Sequence, residues 1–386
     1  RICVRYECVP MRFIKHVYKI HTYAQDGCLF EGKTPVSAFL NSSYDGSFIA
    51  GLMELRYIQS LPVERIINYF ESHGFTLKKP TAHKLMEKAS SLFENLYKCI
   101  RQTALSDPYK AADETYYKIL VPEKNSKGKG VRKGYLWVVV GINTRMIYLL
   151  YDDGSRSEKV ILNELGSCKG IIQSDGYSPY RKLESDAYPH ITRIPCLQHI
   201  KRKFIDCGED DPDAKRIVEM INTLYQNEHK HKIGVDGWTV EQNLVHRKKY
   251  APDILGEIKD VLDDIEERGD LLPKSELKEA ITYLRNEWNA VVDIFNYGDT
   301  YLDNNIVERM NRYISLSRKN SLFFGSHKGA ERGAILYTIA LTCRMHKVNL
   351  FKYLTDVINR TAEWQPNTPL EKYRQLLPDR WEKAND

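Results

Sequence analysis

Apolar positions recur at helical spacing from Ser47 to about Ile100: Phe48, Ile49, Leu52 and Leu55, then Val63, Ile66, Ile67 and Phe70. Pro62 suits the first turn of the second of these helices. Ser72-His73-Gly74-Phe75 interrupts the pattern, and Pro80-Thr81 opens a further helix through Leu85, Met86 and Leu92. A helix, a glycine turn and a helix fit either a helix-turn-helix reader of DNA or a plain helical hairpin.

Pro108 ends this block, and the period changes. Ala112 to Val121, Tyr135 to Ile142 and Met146 to Tyr151 read as strands. Tyr135-Leu136-Trp137-Val138-Val139-Val140 is rich in β-formers without strict alternation, as expected of a strand covered on both faces. Asn143-Thr144-Arg145 suits a tight hairpin. A helix from about Ser157 to Leu165 follows, then a short strand Gly170 to Gln173, a strand Ile191 to Pro195 and a helix around His199 to Phe204. Three strands followed by a helix and by further strands and helices read as an RNase H-like core, an α/β arrangement with a mixed sheet flanked by helices.

From Asp213 to Tyr297 strand signals vanish, and helical repeats such as Ile254, Ile258, Val261, Leu262 and Ile265 take over. This predicts an all-helical insertion. The charged run Asp260 to Asp270 reads as its solvated face. After Gly298 the chain is helical again through Asn304 to Arg309, then through Ala334 to Met345. The expected organisation is an N-terminal element over 1–40, a helical region over 41–107 and a first core part over 108–208. The insertion over 209–300, a second core part over 301–348 and a tail over 349–386 complete it.

Composition narrows the classes. The 386 residues carry a formal charge of +6, which permits a polyanionic partner without requiring one. The eight cysteines form no dense disulfide framework, so a reducing cytosol is expected. No run reaches the ~18 apolar residues of a membrane span. The start, Arg1-Ile2-Cys3-Val4-Arg5, has neither an initiator Met nor a signal-peptide layout, and missing upstream sequence is expected.

Asp113 lies on the first core strand, Asp175 directly follows the fourth, and Glu308 lies on a helix far downstream. In such a sheet the first and fourth strands are neighbours, so two aspartates can sit side by side. Carboxylates that close suit a divalent cation between them, and magnesium favours such oxygen donors. A single Asp at a strand end is more often a helix cap or turn former, and spacing leaves Glu114 and Asp303 open as rivals.

The segments around these acids resemble the transposases of the insertion sequence 66 family over nearly the full chain. They are Asp113-Glu114-Thr115, Gly134-Tyr135-Leu136-Trp137-Val138, Asp175-Gly176-Tyr177, and Cys196-Leu197-Gln198-His199 with Ile200 to Phe204. Asp303-Asn304-Asn305-Ile306-Val307-Glu308-Arg309, Arg318 to Ser326 and Leu376-Leu377-Pro378-Asp379-Arg380-Trp381 follow in order. The resemblance implies a DDE domain in which Asp113, Asp175 and Glu308 hold magnesium or manganese. It implies hydrolysis at the element's DNA ends, then attack of the freed 3′-hydroxyl on target DNA. Double-stranded DNA (terminal inverted repeats and target), a homo-oligomer, accessory proteins of the element and a bacterial cytoplasmic, nucleoid-associated location are implied as well. A nuclease without strand transfer and an inactive or domesticated DNA-binding protein are the competing readings.

Cys196 and His199 match a Cys-x-x-His signature of such families; metal geometry would suit the pair, but two ligands make no complete zinc site, and packing or hydrogen bonding is their expected role. Arg5-Tyr6-Glu7-Cys8-Val9-Pro10-Met11 resembles the end of the family's cysteine-rich zinc element. Met11 stands where the last Cys belongs, and a poor thioether ligand puts zinc there in doubt. Two basic stretches are candidate DNA contacts: Lys124, Lys127, Lys129, Arg132 and Lys133 between the first two core strands, and Arg309, Arg312, Arg318 and Lys319 after the third acid. Tyr313, Phe323 and Phe324 among them fit base stacking or the core.

Overall fold

The computed structural model describes residues 5–7, 11–33, 37–39, 42–124, 128, 130–208, 210–365 and 367–381. Lys127, Lys129 and the Cys8 of the zinc-like element lie outside them. Near the N-terminus an antiparallel hairpin, β1 (Thr22–Gln25) and β2 (Cys28–Glu31), stands exposed. The helical region then forms α1 (Gly46–Tyr57), α2 (Val63–Ser72), α3 (Lys79–Leu92) and α4 (Glu94–Ser106).

The central sheet is built from β3 (Tyr109–Leu120), β4 (Val131–Gly141), β5 (Ile147–Tyr151), β6 (Gly170–Ser174) and β7 (Ile191–Pro195). Between them lie α5 (Glu158–Leu165) and the short α6 (Ser178–Arg181), and α7 (Leu197–Ile205) follows β7. Among the described residues the strand order is β5-β4-β3-β6-β7. β3, β4 and β5 pair antiparallel, whereas β6 and β7 add in parallel, so the sheet is mixed. Trp137, Val138, Val139 and Val140 of β4 are fully buried, as the unbroken run of β-formers predicts.

The insertion consists of α8 (Pro212–Glu228), α9 (Val240–Glu267) and α10 (Glu276–Ile294). The chain returns to the core through α11 (Asn305–Ser321) and α12 (His327–Met345), and ends with α13 (Leu350–Thr361) and α14 (Leu370–Arg374). The N-terminal helices join the body of the fold: α4 packs on the sheet, as α12 does, α1 packs on α13, and all share one apolar core. The acidic run at the end of α9 is partly paired. Asp263 and Glu266 meet Arg285, and Arg268 meets Asp213.

One ion pair ties the insertion's own helices together, and a second fastens it to the sheet. Arg247 is wholly buried and donates to Glu228, to the carbonyls of Ile294, Tyr297 and Thr300, and to the Thr300 hydroxyl. Arg193 of β7 reaches Glu287 of α10 at 2.5 Å, with neither side chain exposed to solvent.

Candidate functional site

β3 and β6 run parallel with Tyr109↔Ile171, Lys110↔Ile172 and Ala111↔Gln173 in register. Asp113 and Asp175 each stand two residues beyond the last of these pairs. Side chains alternate along a strand, so both fall in the phase of Ala111 and Gln173. Asp113 is pushed up to about 8, chiefly by burial and then by the negative charges of Glu114 and Asp175. That mutual repulsion is the electrostatic mark of clustered carboxylates.

Replacing Asp113 by the isosteric Asn is therefore expected to stabilise the protein in the presence of EDTA, raising Tm by a few degrees. A carboxyl raised in the folded state binds more protons folded than unfolded, so its penalty grows as pH rises from its ordinary value towards about 8. The gain in Tm must then be larger at pH 8 than at pH 5, and equal gains would contradict this account.

The two rivals have partners of their own. Glu114 accepts from Arg156 at 2.5 Å and from the Tyr180 hydroxyl at 3.3 Å, so its charge is already partnered. Asp303 accepts the Asn305 N–H at 3.1 Å and closes the turn into α11.

Glu308 arrives on α11, and two asparagines decide where. Asn304 Nδ2 donates to the Ala112 carbonyl at 3.0 Å, and Asn311 Nδ2 donates to Asp113 Oδ2 at 2.6 Å. Positions 304, 308 and 311 share one helix face, so Glu308 lies between two anchors that both grip β3 at residues 112–113. Its carboxylate is 3.7 Å from His199 Nε2. Cys196, His199 and Glu308 place their ligand atoms within 4.8 Å of one another, and no other such group of three occurs among the described residues. The Cys196 thiol, pushed up to about 12 by burial, accepts the Asn304 N–H at 3.2 Å.

A cleft of about 350 Å³ opens beside Asp175, lined by Arg156, Tyr177, His199, Arg202, Lys203 and Tyr283 among others. The insertion shapes this cleft. Tyr283 of α10 accepts the Gly176 N–H at 2.8 Å, and a Cβ on Gly176 would come within 2.5 Å of that hydroxyl. A larger residue after Asp175 would have to displace the Tyr283 ring, so glycine here preserves that contact. Arg156 lies 4.1 Å from the Tyr177 ring centroid. Arg202, Lys203, Arg156 and Tyr283 were not singled out from the sequence. Arg202 and Lys203 could have been, since they follow His199 at i+3 and i+4 and share its helix face.

The proposed basic contacts divide. Arg309, Arg312 and Lys319 of α11 are exposed; Arg312 and Lys319 lie within about 40° of Glu308 around the helix, and Arg309 is turned about 100° from it. Arg318 instead donates to the Tyr116 carbonyl at 2.5 Å and lies 3.9 Å from that ring's centroid. Lys124 is exposed, Arg132 donates to the Asp153 carbonyl, and Lys133 faces the Tyr116 ring at 4.5 Å. Their loop follows Leu120, seven residues beyond Asp113, or roughly 23 Å along the strand. Phe324 is core: it packs on Tyr117 at 4.2 Å and is only 7% exposed. Tyr313 packs under Arg344, and Phe323 remains exposed. Among the described residues, no helix is long and apolar enough to cross a membrane.

Three curated relatives are the uncharacterized proteins y4jD, y4hP and y4qI of Sinorhizobium fredii (strain NBRC 101917 / NGR234). They are 26%, 24% and 26% identical over 86%, 98% and 95% of this chain. The chain spans 65%, 70% and 69% of their respective lengths. Among solved structures, a chain of the Drosophila P element transposase strand transfer complex matches 78% of this chain and 93% of its own length. At 13% identity and a TM-score of 0.39, the likeness is too distant to transfer any residue's role. The family model described as Transposase IS66 family matches residues 41–332, and the chain belongs to that family.

Proposed function

We propose that this chain carries the catalytic region of a DDE-type DNA transposase on an RNase H-like fold, with Asp113, Asp175 and Glu308 as its acidic residues. One observation carries the reading. Asp113 and Asp175 continue the register of neighbouring parallel strands, beneath a helix anchored on both sides of Glu308. The antiparallel β5-β4-β3 meander extended by parallel β6 and β7 supports the fold assignment.

The donor set fits a hard divalent cation: carboxylates that repel one another, with Arg156 beside them already engaged by Glu114. Asp113, Asp175 and Glu308 would hold magnesium or manganese, which when bound supplies charge neutralisation and nucleophile activation for in-line displacement at phosphorus. The rest falls to the chain. Asn311 orients Asp113, and Arg193 holds the Asp175 carbonyl at 3.2 Å. Arg202 and Lys203 beside Asp175 bind phosphate oxygens, and the exposed basic residues of α11 hold flanking duplex.

In the first step water attacks phosphorus at the element end and the P–O3′ bond breaks, freeing a 3′-hydroxyl. In the second, that hydroxyl attacks a target phosphorus and expels the target strand's 3′ oxygen. Paired ends call for a homo-oligomer, and accessory proteins of the element belong to the same proposal, as does a place at the bacterial nucleoid.

The test incubates the chain with magnesium or manganese, a target plasmid and labelled duplexes of the inverted repeats flanking its reading frame, with and without the element's other proteins. Joined product is the expected result. Cleavage without joining would make the protein a metal-dependent nuclease. DNA binding with neither reaction would make it a binding protein on this fold.

A further inference from the structure

We propose that Cys196, His199 and Glu308 form a site for a borderline-soft divalent cation of the zinc class, distinct from the Asp113/Asp175 pair but drawing on the same third carboxylate. Cys196 caps the N-terminus of α7 and His199 follows one turn later, so helix geometry presents a sulfur and a ring nitrogen together. Glu308 comes from the other side of the sequence. It is delivered by the α11 entry, where the Asn304 N–H is donated to Cys196 Sγ at 3.2 Å. All three ligand atoms lie within 4.8 Å of one another, about 1 Å wider than the roughly 3.3–3.8 Å spacing of donors around one tetrahedral zinc, so a small inward movement of the side chains completes the geometry.

Two further atoms point to a missing partner. His199 Nδ1 and Glu308 Oε1 are both buried without a hydrogen bond, although unpartnered buried polar atoms are costly. One cation at this position satisfies the carboxylate and uses the imidazole. The donor chemistry selects the metal: sulfur, nitrogen and oxygen together favour zinc, whereas magnesium favours oxygen alone. Binding releases the Cys196 proton to solvent and leaves the fourth position open.

A consequence rests on the transposase reading. Zinc at this site competes with the Asp113/Asp175 pair for the Glu308 carboxylate, and is expected to antagonise magnesium-dependent joining.

Cobalt(II) titrated into the full chain without magnesium provides the test, because a thiolate ligand gives a near-ultraviolet charge-transfer band. One equivalent of cobalt, displaced by zinc, is expected to produce that band. Cys196→Ser should abolish it while the far-ultraviolet circular dichroism is unchanged. His199→Gln, at a partly exposed side chain, should weaken cobalt binding by on the order of 10-fold or more. No band in the parent, or a band and affinity unaltered in both variants, overturns the site. A Cys196-dependent band in a protein that joins no DNA keeps the site and removes the strand-transfer reading. Joining without such a band does the reverse.

Discussion

Asp175→Asn is expected to lower strand joining by at least roughly 10³-fold while leaving affinity for element-end DNA intact. The amide has the carboxylate's shape, and its oxygen still accepts the Tyr177 N–H that Asp175 Oδ1 accepts at 3.1 Å. What is lost is the charge that pairs with Asp113 in any cation site. Because that charge shares the cleft with Arg202 and Lys203, removing it leaves the cleft more positive towards phosphate, and binding holds or tightens. Gel-shift titration at fixed salt and the joining assay read the two properties separately. Asp303→Asn is the control: it keeps the turn that accepts the Asn305 N–H and should stay within a few-fold of the parent. Joining by Asp175→Asn at the parent's rate would remove this residue from the mechanism.

What was legible beforehand follows from how each feature is encoded. The central strands and the insertion's helices are written in local period, and the buried run of β4 is the clearest case. The start of β3 was read three residues late because Lys110 looks like a surface residue. It is buried, and its ammonium donates to the carbonyls of Asp107 and Lys169. The β1–β2 hairpin carried a signal that went unused: Asp26-Gly27 between two short strands, both at positive φ of 52° and 77°, as a tight hairpin turn demands. Phe324 could not be assigned from sequence, because its burial depends on β3. It accepts the Leu120 N–H and donates to the Lys118 carbonyl, joining the end of α11 to the sheet edge-on.

The site divides in the same way. Asp113 and Asp175 were accessible because strand ends are. The contacts that complete the site lie far apart in sequence: Asn311 on Asp113 across 198 residues and Tyr283 on Gly176 across 107. Neither leaves a periodic trace, since each depends on how a helix docks. The neighbourhood of His199 and Glu308 is of this kind too, and it turned a motif expected to serve packing into a candidate metal centre.

The largest loss of stability is expected from Glu287→Ala. Arg193 and Glu287 are both inaccessible to solvent, with Nη2 and Oε2 2.5 Å apart, and Arg181 stands 3.8 Å away. Truncating the acid leaves the Arg193 guanidinium buried without its main counter-charge, a change that costs about 3–5 kcal/mol. Glu184, which also meets Arg193 but is partly exposed, offsets some of this and favours the lower half of that range. Denaturant unfolding should show a reduced midpoint with an unchanged slope. A double replacement, Arg193→Met with Glu287→Leu, removes both charges and should recover most of the loss, since apolar packing often equals or exceeds a buried pair. Joining should not recover with it. Arg193 also holds the Asp175 carbonyl at 3.2 Å, so the apolar pair restores the seam between β7 and α10 while leaving the second acid less firmly positioned. A Glu287→Ala protein as stable as the parent would show that the insertion is not fastened to the core through this pair. A double variant with full joining activity would show that Arg193 has no part in positioning Asp175.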